Sequence, residues 1–368
     1  LFLKNWSNPI MTPILDQEAP YIGQSSDLRS VAFPAEFIPG AHNAVTTCLR
    51  IQPEEKVTVI TDERCMTIAA SIVAELDRIG CTWNAFVLEA IAPRPLVGMP
   101  AEVLADMESS QVSIFAVEVQ PNELRSRMEM TDVVNRRRMR HAHMVNITAE
   151  IMTQGMRADF LAVDRLSQAV LDKVRQATYV RATTPAGTDI HVELSPAYRW
   201  FKTSGIISTE KWGNLPGGEC FTSPLEVNGV FVVDGVVGDY LCARYGILRE
   251  QPLTIHIEAN RITKISSENK DLERDFWAYT HTDENSDRVG EFAIGTNIGV
   301  ERVIGNILQD EKFPGIHIAF GDPYGAHTGA PWKSSTHIDV VGLEFNIWLG
   351  NADGEEQIMR EGVFLLDA

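Results

Sequence analysis

Val57-Thr58-Val59-Ile60-Thr61-Asp62 opens the stretch whose reading decides the fold. The β-branched run reads as a strand, and Asp62 can cap the segment behind it. Met66 to Ile79 then has helical periodicity and stops at Gly80, a residue suited to the left-handed position after a helix. Thr82 to Leu88 reads as a second strand and the proline-rich Pro93 to Pro100 as a connection. Ala101 to Met107 reads as a short helix and Val112 to Val117 as a third strand. Strand–helix–strand alternation predicts right-handed crossovers and a parallel sheet. No Gly-x-Gly-x-x-Gly follows the first strand, so nothing supports a dinucleotide site.

Outward from this core, Ser126 to Arg175 reads as mostly helical. Its stretch Asn135 to Met144 carries Arg136, Arg137, Arg138, Arg140, His141 and His143, better taken as a solvated helix face than as a phosphate patch. On a helix the two histidines would point about 200° apart and could not share a metal. After Arg175 the character changes. Thr178 to Thr184 and Asp189 to Leu194 flank Pro185-Ala186-Gly187-Thr188, a hairpin signal. Val230 to Val237, Leu253 to Glu258 and Ile262 to Ile265 read as further strands, with helices at Lys270 to Tyr279 and Gly299 to Ile307. The expected class is α/β: an N-terminal parallel-sheet α/β domain over residues 1–180, followed by a strand-rich α+β domain over 181–368.

The chain has 368 residues, 44% apolar and 22% charged, ordinary for about two globular domains. Lys and Arg number 32 against 50 Asp and Glu, a net charge of −18. That balance argues against nucleic acid or an anionic membrane as partner, since both reward a basic face. No apolar run approaches the ~18 residues of a membrane span. Leu1 to Ile10 lacks the basic and long apolar regions of a signal peptide, and Met11 is a candidate start. Five dispersed cysteines (Cys48, Cys65, Cys81, Cys220, Cys242) without a Cys-x-x-Cys fit reduced thiols and a cytoplasmic location.

Two carboxylates stand in segments too apolar and glycine-rich for ordinary surface: Glu219 in Gly217-Gly218-Glu219-Cys220-Phe221 and Glu291 in Gly290-Glu291-Phe292-Ala293. Burying them is costly unless something pairs with them, and a divalent metal would. In Thr336-His337-Ile338-Asp339-Val340-Val341, a strand would project His337 and Asp339 from one side, about 7 Å apart at their Cα atoms. Gly315-Ile316-His317-Ile318-Ala319-Phe320-Gly321 is also strand-like and sets His317 among apolar neighbours. Alone, each histidine is better read as a satisfied core residue. Together Glu219, Glu291, His317, His337 and Asp339 offer three carboxylates and two imidazoles, suited to two divalent ions and an activated water. Such ligation favours Zn, Co, Mn or Fe over Ca.

The segments Leu215 to Pro224, Gly290 to Asn297, Gly305 to Tyr324 and Ser335 to Gly342 resemble the M29 family of metallo-aminopeptidases, the thermophilic leucyl aminopeptidase type. The resemblance covers most of the second half. The first half shares only the α/β pattern and the run near Asn135 to Thr148. It implies that the same five residues bind a co-catalytic pair of divalent ions (Zn, Co or Mn). It further implies that Tyr324, seven residues after His317, stabilises an oxyanion. The family's general-base glutamate lies five residues before the first histidine, where this chain has Lys312. Glu311, one residue earlier, is the expected substitute if Pro314-Gly315 makes a tighter turn. The implied reaction is removal of N-terminal residues from peptides or small amides, by a homodimer or larger assembly.

His317, His337 and Asp339 alone would also make a facial triad for mononuclear non-haem Fe(II). Ring-cleaving dihydroxypyridine dioxygenases resemble the same fold family and keep that triad, so an Fe(II) dioxygenase is the alternative. Retention of Glu219 and Glu291 favours the peptidase. A non-catalytic protein with a structural metal fits less well, because such sites are usually thiolate-rich and only Cys220 adjoins a proposed ligand. Trp332 is a candidate pocket wall; Asp322 and His327 read as solvent-facing or as support for the ligands.

Overall fold

The computed structural model describes residues 25–366. The expectations placed on Leu1 to Ile10 and on Met11 lie outside these described residues. Strands β1 (Lys56–Thr61), β2 (Thr82–Val87), β3 (Val112–Val117) and β4 (Arg140–Val145) form a parallel sheet in the order β2-β1-β3-β4. Alternation along each strand divides its side chains between two cores. Val57, Val59, Ile114 and Ala116 pack under the helix Met66–Ile79; Ile60, Phe115 and Val117 pack under the helices Ala101–Met107 and Leu124–Arg137. Both faces are covered, as a parallel sheet requires.

β4 corrects the helical reading of Asn135 to Met144. The helix Leu124–Arg137 ends at Arg138, whose left-handed backbone (φ 53°) turns the chain into the sheet. Arg136 and Arg137 thus sit in a last helical turn, where cations are favoured. On a strand, His141 and His143 share a side rather than diverging. Both are buried; their rings touch (Nε2 to Nδ1, 3.2 Å) and pack against Trp212, while Ser113 Oγ lies 2.8 Å from His141 Nδ1. Burial holds both imidazoles neutral, His143 down to about 3.

At the carboxyl ends of β1 to β3, where open α/β sheets place ligands, the chain puts an ion cluster of its own. Arg94 donates to both oxygens of Glu123 (2.5 and 2.6 Å) and to Glu89 (3.0 Å), with Asp62 at 3.4 Å. Asp62 in turn accepts the N–H groups of Cys65 and Glu118. The Arg94, Asp62 and Glu123 side chains are at most 3% exposed. Arg94→Leu should therefore cost about 3–5 kcal/mol, because it strands buried carboxylates. A urea midpoint equal to that of the parent chain would refute this.

The second half is two antiparallel sheets around one apolar core. The larger is β12-β11-β10-β6-β5-β16-β17-β18. It is built from β5 (Tyr179–Thr183), β6 (Asp189–Glu193), β10 (Glu226–Val233), β11 (Leu253–Glu258), β12 (Arg261–Ser266), β16 (Asn346–Asn351), β17 (Gly354–Arg360) and β18 (Val363–Phe364). The smaller is β15-β14-β13-β9-β7, from β7 (Phe201–Thr203), β9 (Glu219–Thr222), β13 (Val289–Gly295), β14 (Gly315–Gly321) and β15 (His337–Val341). The expected mixed class, a parallel-sheet part followed by a strand-rich part, is what the chain adopts.

Two shared elements are among those that link the halves. Gly213–Asn214 (β8) adds a short parallel strand beside β4. The helix Phe160–Val174 begins in the first core with Phe160 and Val163 and ends in the second with Leu166, Val170 and Val174. A division at residue 180 is accordingly a proposal in which both elements are shared.

The helix expected over Gly299 to Ile307 is mostly irregular; only Ile307–Asp310 is helical. Side chains replace the helical bonds there. Asp310 accepts from the backbone of Ile304, Gly305 and Asn306, and Gln154 accepts from Glu301 and Arg302. Lys270–Tyr279 is helical as expected.

Candidate metal centre

One face of the smaller sheet carries all five predicted ligands. Phe292, Ile294, Ile316, Ile318, Phe320, Ile338 and Val340 point into the core, so the residues alternating with them point the other way. These are Glu291, His317, His337 and Asp339, with Glu219 at the start of β9. Cross-strand register explains how such bulky polar groups share a surface. Glu291 and Asp339 both lie opposite Ala319, His317 opposite Ala293, His337 opposite Gly321 and Glu219 opposite Gly295. Each donor thus faces an alanine or glycine across a strand, which leaves a hollow between them.

Backbone detail fixes the two ends of this hollow. Gly218, at φ +133°, sets Glu219 against the Asn297 backbone, where a Cβ would sit 2.6–2.9 Å from Asn297 atoms. Gly295 lets the Phe313 carbonyl cross directly above it; a Cβ there would stand 2.0 Å from that oxygen. This crossing delivers Glu311 and Lys312 to the site.

The donor atoms converge. His317 Nε2 lies 3.5 Å from Glu219 Oε2 and 3.6 Å from Glu291 Oε1; His337 Nε2 lies 3.5 Å from Asp339 Oδ1 and 3.8 Å from Glu291 Oε2. Two donors of one tetrahedral ion at bond lengths of ~2.0–2.2 Å stand about 3.3–3.6 Å apart, so the spacing suits a shared cation. Glu291 Oε2 and His317 Nε2 are buried with no hydrogen-bond partner, an expensive arrangement unless a ligand completes it. His337 Nδ1 donates to the Asp322 carbonyl at 2.9 Å, which leaves Nε2 with its lone pair toward the cluster. The residues present therefore fit a divalent metal.

Glu311, reached through the Pro314-Gly315 turn, groups with His317 and Asp339, their donor atoms lying within 4.8 Å of one another. Burial pushes its carboxyl up to about 8, against the opposing pull of Lys312. Tyr324 lies on the His337 ring (centroids 4.4 Å apart) and is 44% exposed, which puts it at the mouth of the site. Burial of its hydroxyl and the charges of Glu291, Asp339, Glu311 and Glu219 keep the phenol protonated. Trp332 is buried rather than forming an open wall: Arg288 lies over its ring at 3.6 Å and its Nε1 donates to Gly321. Asp322 supports the site through its carbonyl, and its carboxylate accepts from the backbone of Tyr324 and Ser334. His327 is exposed against Phe201. Cys220 faces the core, its thiol donating to the Ser167 carbonyl.

Lys312 is the residue whose part the sequence left unread. It is 1% exposed, and its Nζ donates to Glu219 Oε1 (2.7 Å) and Glu311 Oε1 (2.5 Å). The signal was a charged pair, Glu311-Lys312, run directly into the apolar turn Phe313-Pro314-Gly315. Asp283, also unforeseen, accepts from the Ser335 backbone and from the Ser334 and Ser335 hydroxyls, anchoring the approach to His337.

Burial disfavours a charged His317, but Glu291, Glu219 and Asp339 outweigh it and raise the imidazole to about 9; His337 rises to about 10, burial again being overcome, chiefly by Asp339. The field that attracts a proton attracts a cation, and a metal-binding imidazole must be neutral. Raised values mean protonated rings at pH 7, so metal binding there should release protons and affinity should increase with pH. Calorimetry in buffers of different ionisation enthalpy reads this directly; a buffer-independent heat would contradict it.

A sequence model of the thermophilic metalloprotease (M29) family matches residues 163–364. Among solved structures, the fold is similar to wild-type AmpT from Thermus thermophilus, with 17% identity and a TM-score of 0.65 over 91% of this chain and 100% of that one. It is also similar to a 2,5-dihydroxypyridine dioxygenase from Pseudomonas putida KT2440, with 15% identity and a TM-score of 0.63 over 89% and 96%. At these identities the two likenesses concern the fold. No curated protein matches the chain. Among the described residues no helix is long and apolar enough to cross a membrane.

Proposed function

Because the chain belongs to the thermophilic metalloprotease (M29) family, a family of hydrolases, we propose that it is a metal-dependent aminopeptidase acting on peptides or small amides. The observation that carries this reading is the convergence of Glu291, His317, His337 and Asp339 around unpartnered buried donor atoms, with Glu219 and Glu311 alongside. A divalent ion held there would polarise the scissile carbonyl and acidify a bound water. Glu311 would take the proton of that water and pass it to the leaving amine. Tyr324, a protonated donor at the mouth, would hydrogen-bond the developing oxyanion. The carboxylate-rich wall gives the substrate's α-ammonium a favourable seat. The resemblance and the number of donors support a pair of ions. Lys312, already bonded to Glu219, bears on that number.

The same lysine favours a second reading. With Glu219 Oε1 engaged, the two imidazoles and Asp339 are untouched by the lysine and could serve as an iron triad. TM-scores of 0.65 and 0.63 show that the fold does not choose between the two chemistries. The test offers the purified protein an unblocked peptide, its N-acetylated counterpart and 2,5-dihydroxypyridine. The proposal expects release of the N-terminal residue from the unblocked peptide only. That release should stop with a chelator and return with added metal. Oxygen uptake on the pyridine, with iron and without peptide cleavage, would replace it.

A further inference from the structure

We propose that this chain holds one divalent ion rather than two, and that the Lys312 ammonium stands in the place of the second. The inference rests on the metal-dependent reading above and refines its ion count. Lys312 is locked in position. Its N–H donates to Gln309, its carbonyl accepts from Asn297, and the next residue's carbonyl crosses Gly295 at a distance that admits no side chain. With the residue 1% exposed, the ammonium has no route to solvent. It bonds Glu219 Oε1 at 2.7 Å, and Thr203 Oγ1 donates to the same oxygen at 2.7 Å. Thr203 stands opposite Glu219 in the β7–β9 register, so this bond is set by the sheet itself. A carboxylate oxygen has about two lone-pair sites, and the chain's own donors fill both on Oε1.

The remaining donors do not make two separate cages. The candidate groups, Glu219–Glu291–His317 and Glu311–His317–Asp339, both draw on His317, and each contains one of the two carboxylates bonded to Lys312. What the ammonium leaves free is Glu219 Oε2, 3.5 Å from His317 Nε2, together with Glu291, His317, His337 and Asp339, joined pairwise at 3.5–3.8 Å, enough for one ion with a position open for water or substrate.

The experiment loads the full chain with Mn²⁺, removes weakly held metal by desalting, and measures metal per chain by mass spectrometry and by electron paramagnetic resonance. The expected result is one ion per chain with an uncoupled, mononuclear signal. Lys312→Ala should hold two and show exchange coupling. Two coupled ions in the parent chain would overturn the inference while leaving the metalloenzyme reading intact. A count of one in folded Lys312→Ala would likewise overturn it. A parent chain that retains no ion would sink the metal reading itself. If Lys312→Ala fails to fold, the parent count decides.

Discussion

His337→Ala is expected to empty the site and abolish hydrolysis while the chain stays folded. His337 Nε2 lies within 3.8 Å of Glu291 and 3.5 Å of Asp339, and its Nδ1 is held by the Asp322 carbonyl. Losing an outer partner of a metal ligand typically costs about 10–100-fold in affinity or activity; losing the ligand should exceed that. The side chain is 17% exposed at the end of a short strand, so its removal opens the surface rather than a sealed cavity. The core face of β15 keeps Ile338 and Val340. Metal content and peptide release should therefore fall together while the urea midpoint of the metal-free chain barely moves. A variant that retains metal and full turnover would remove His337 from the donor set.

Glu311→Gln should separate metal binding from chemistry. The amide keeps the shape of the carboxylate and an oxygen that can accept from Lys312, yet it cannot take a proton. Loss of a general base costs about 10²–10⁴-fold in rate, and it should appear in kcat with the metal content unchanged. The sign of the pH response follows from burial. A carboxyl raised to about 8 is largely protonated at pH 7, so as a base it gains as pH rises through that value. The parent's kcat should climb from pH 6 to 9, and the residual rate of the variant should lose that limb. An unchanged kcat in Glu311→Gln would show that proton removal is done elsewhere.

How far the site was legible differs residue by residue. Glu219 and Glu291 stood out because a carboxylate among glycines and apolar residues needs a partner wherever the chain folds. His337 and Asp339 stood out because a strand's two-residue period sends both to one side. Lys312 had no such pattern. It was noticed only as an interruption of an expected spacing, and its ion pairs with Glu219 and Glu311 depend on a loop crossing above Gly295, nearly a hundred residues beyond Glu219 at its start on β9. The misreading of β4 has a related cause. Arg-Arg-Arg-Met-Arg looks solvated in isolation, whereas the next residues are drawn into a sheet by β3 on one side and by the much later Gly213–Asn214 on the other.

From the sequence alone followed the α/β alternation over residues 57–117, the strand-rich second half, the candidate donor residues and the family they resemble. All of these rest on periodicity and residue chemistry, which are properties of neighbours along the chain. The tertiary structure alone decided that each donor faces an alanine or glycine across a strand, that His141 and His143 are core residues, and that a lysine enters the cluster of carboxylates. Those outcomes depend on register between distant strands and on which charges are buried together, and neither is set until the sheets have packed.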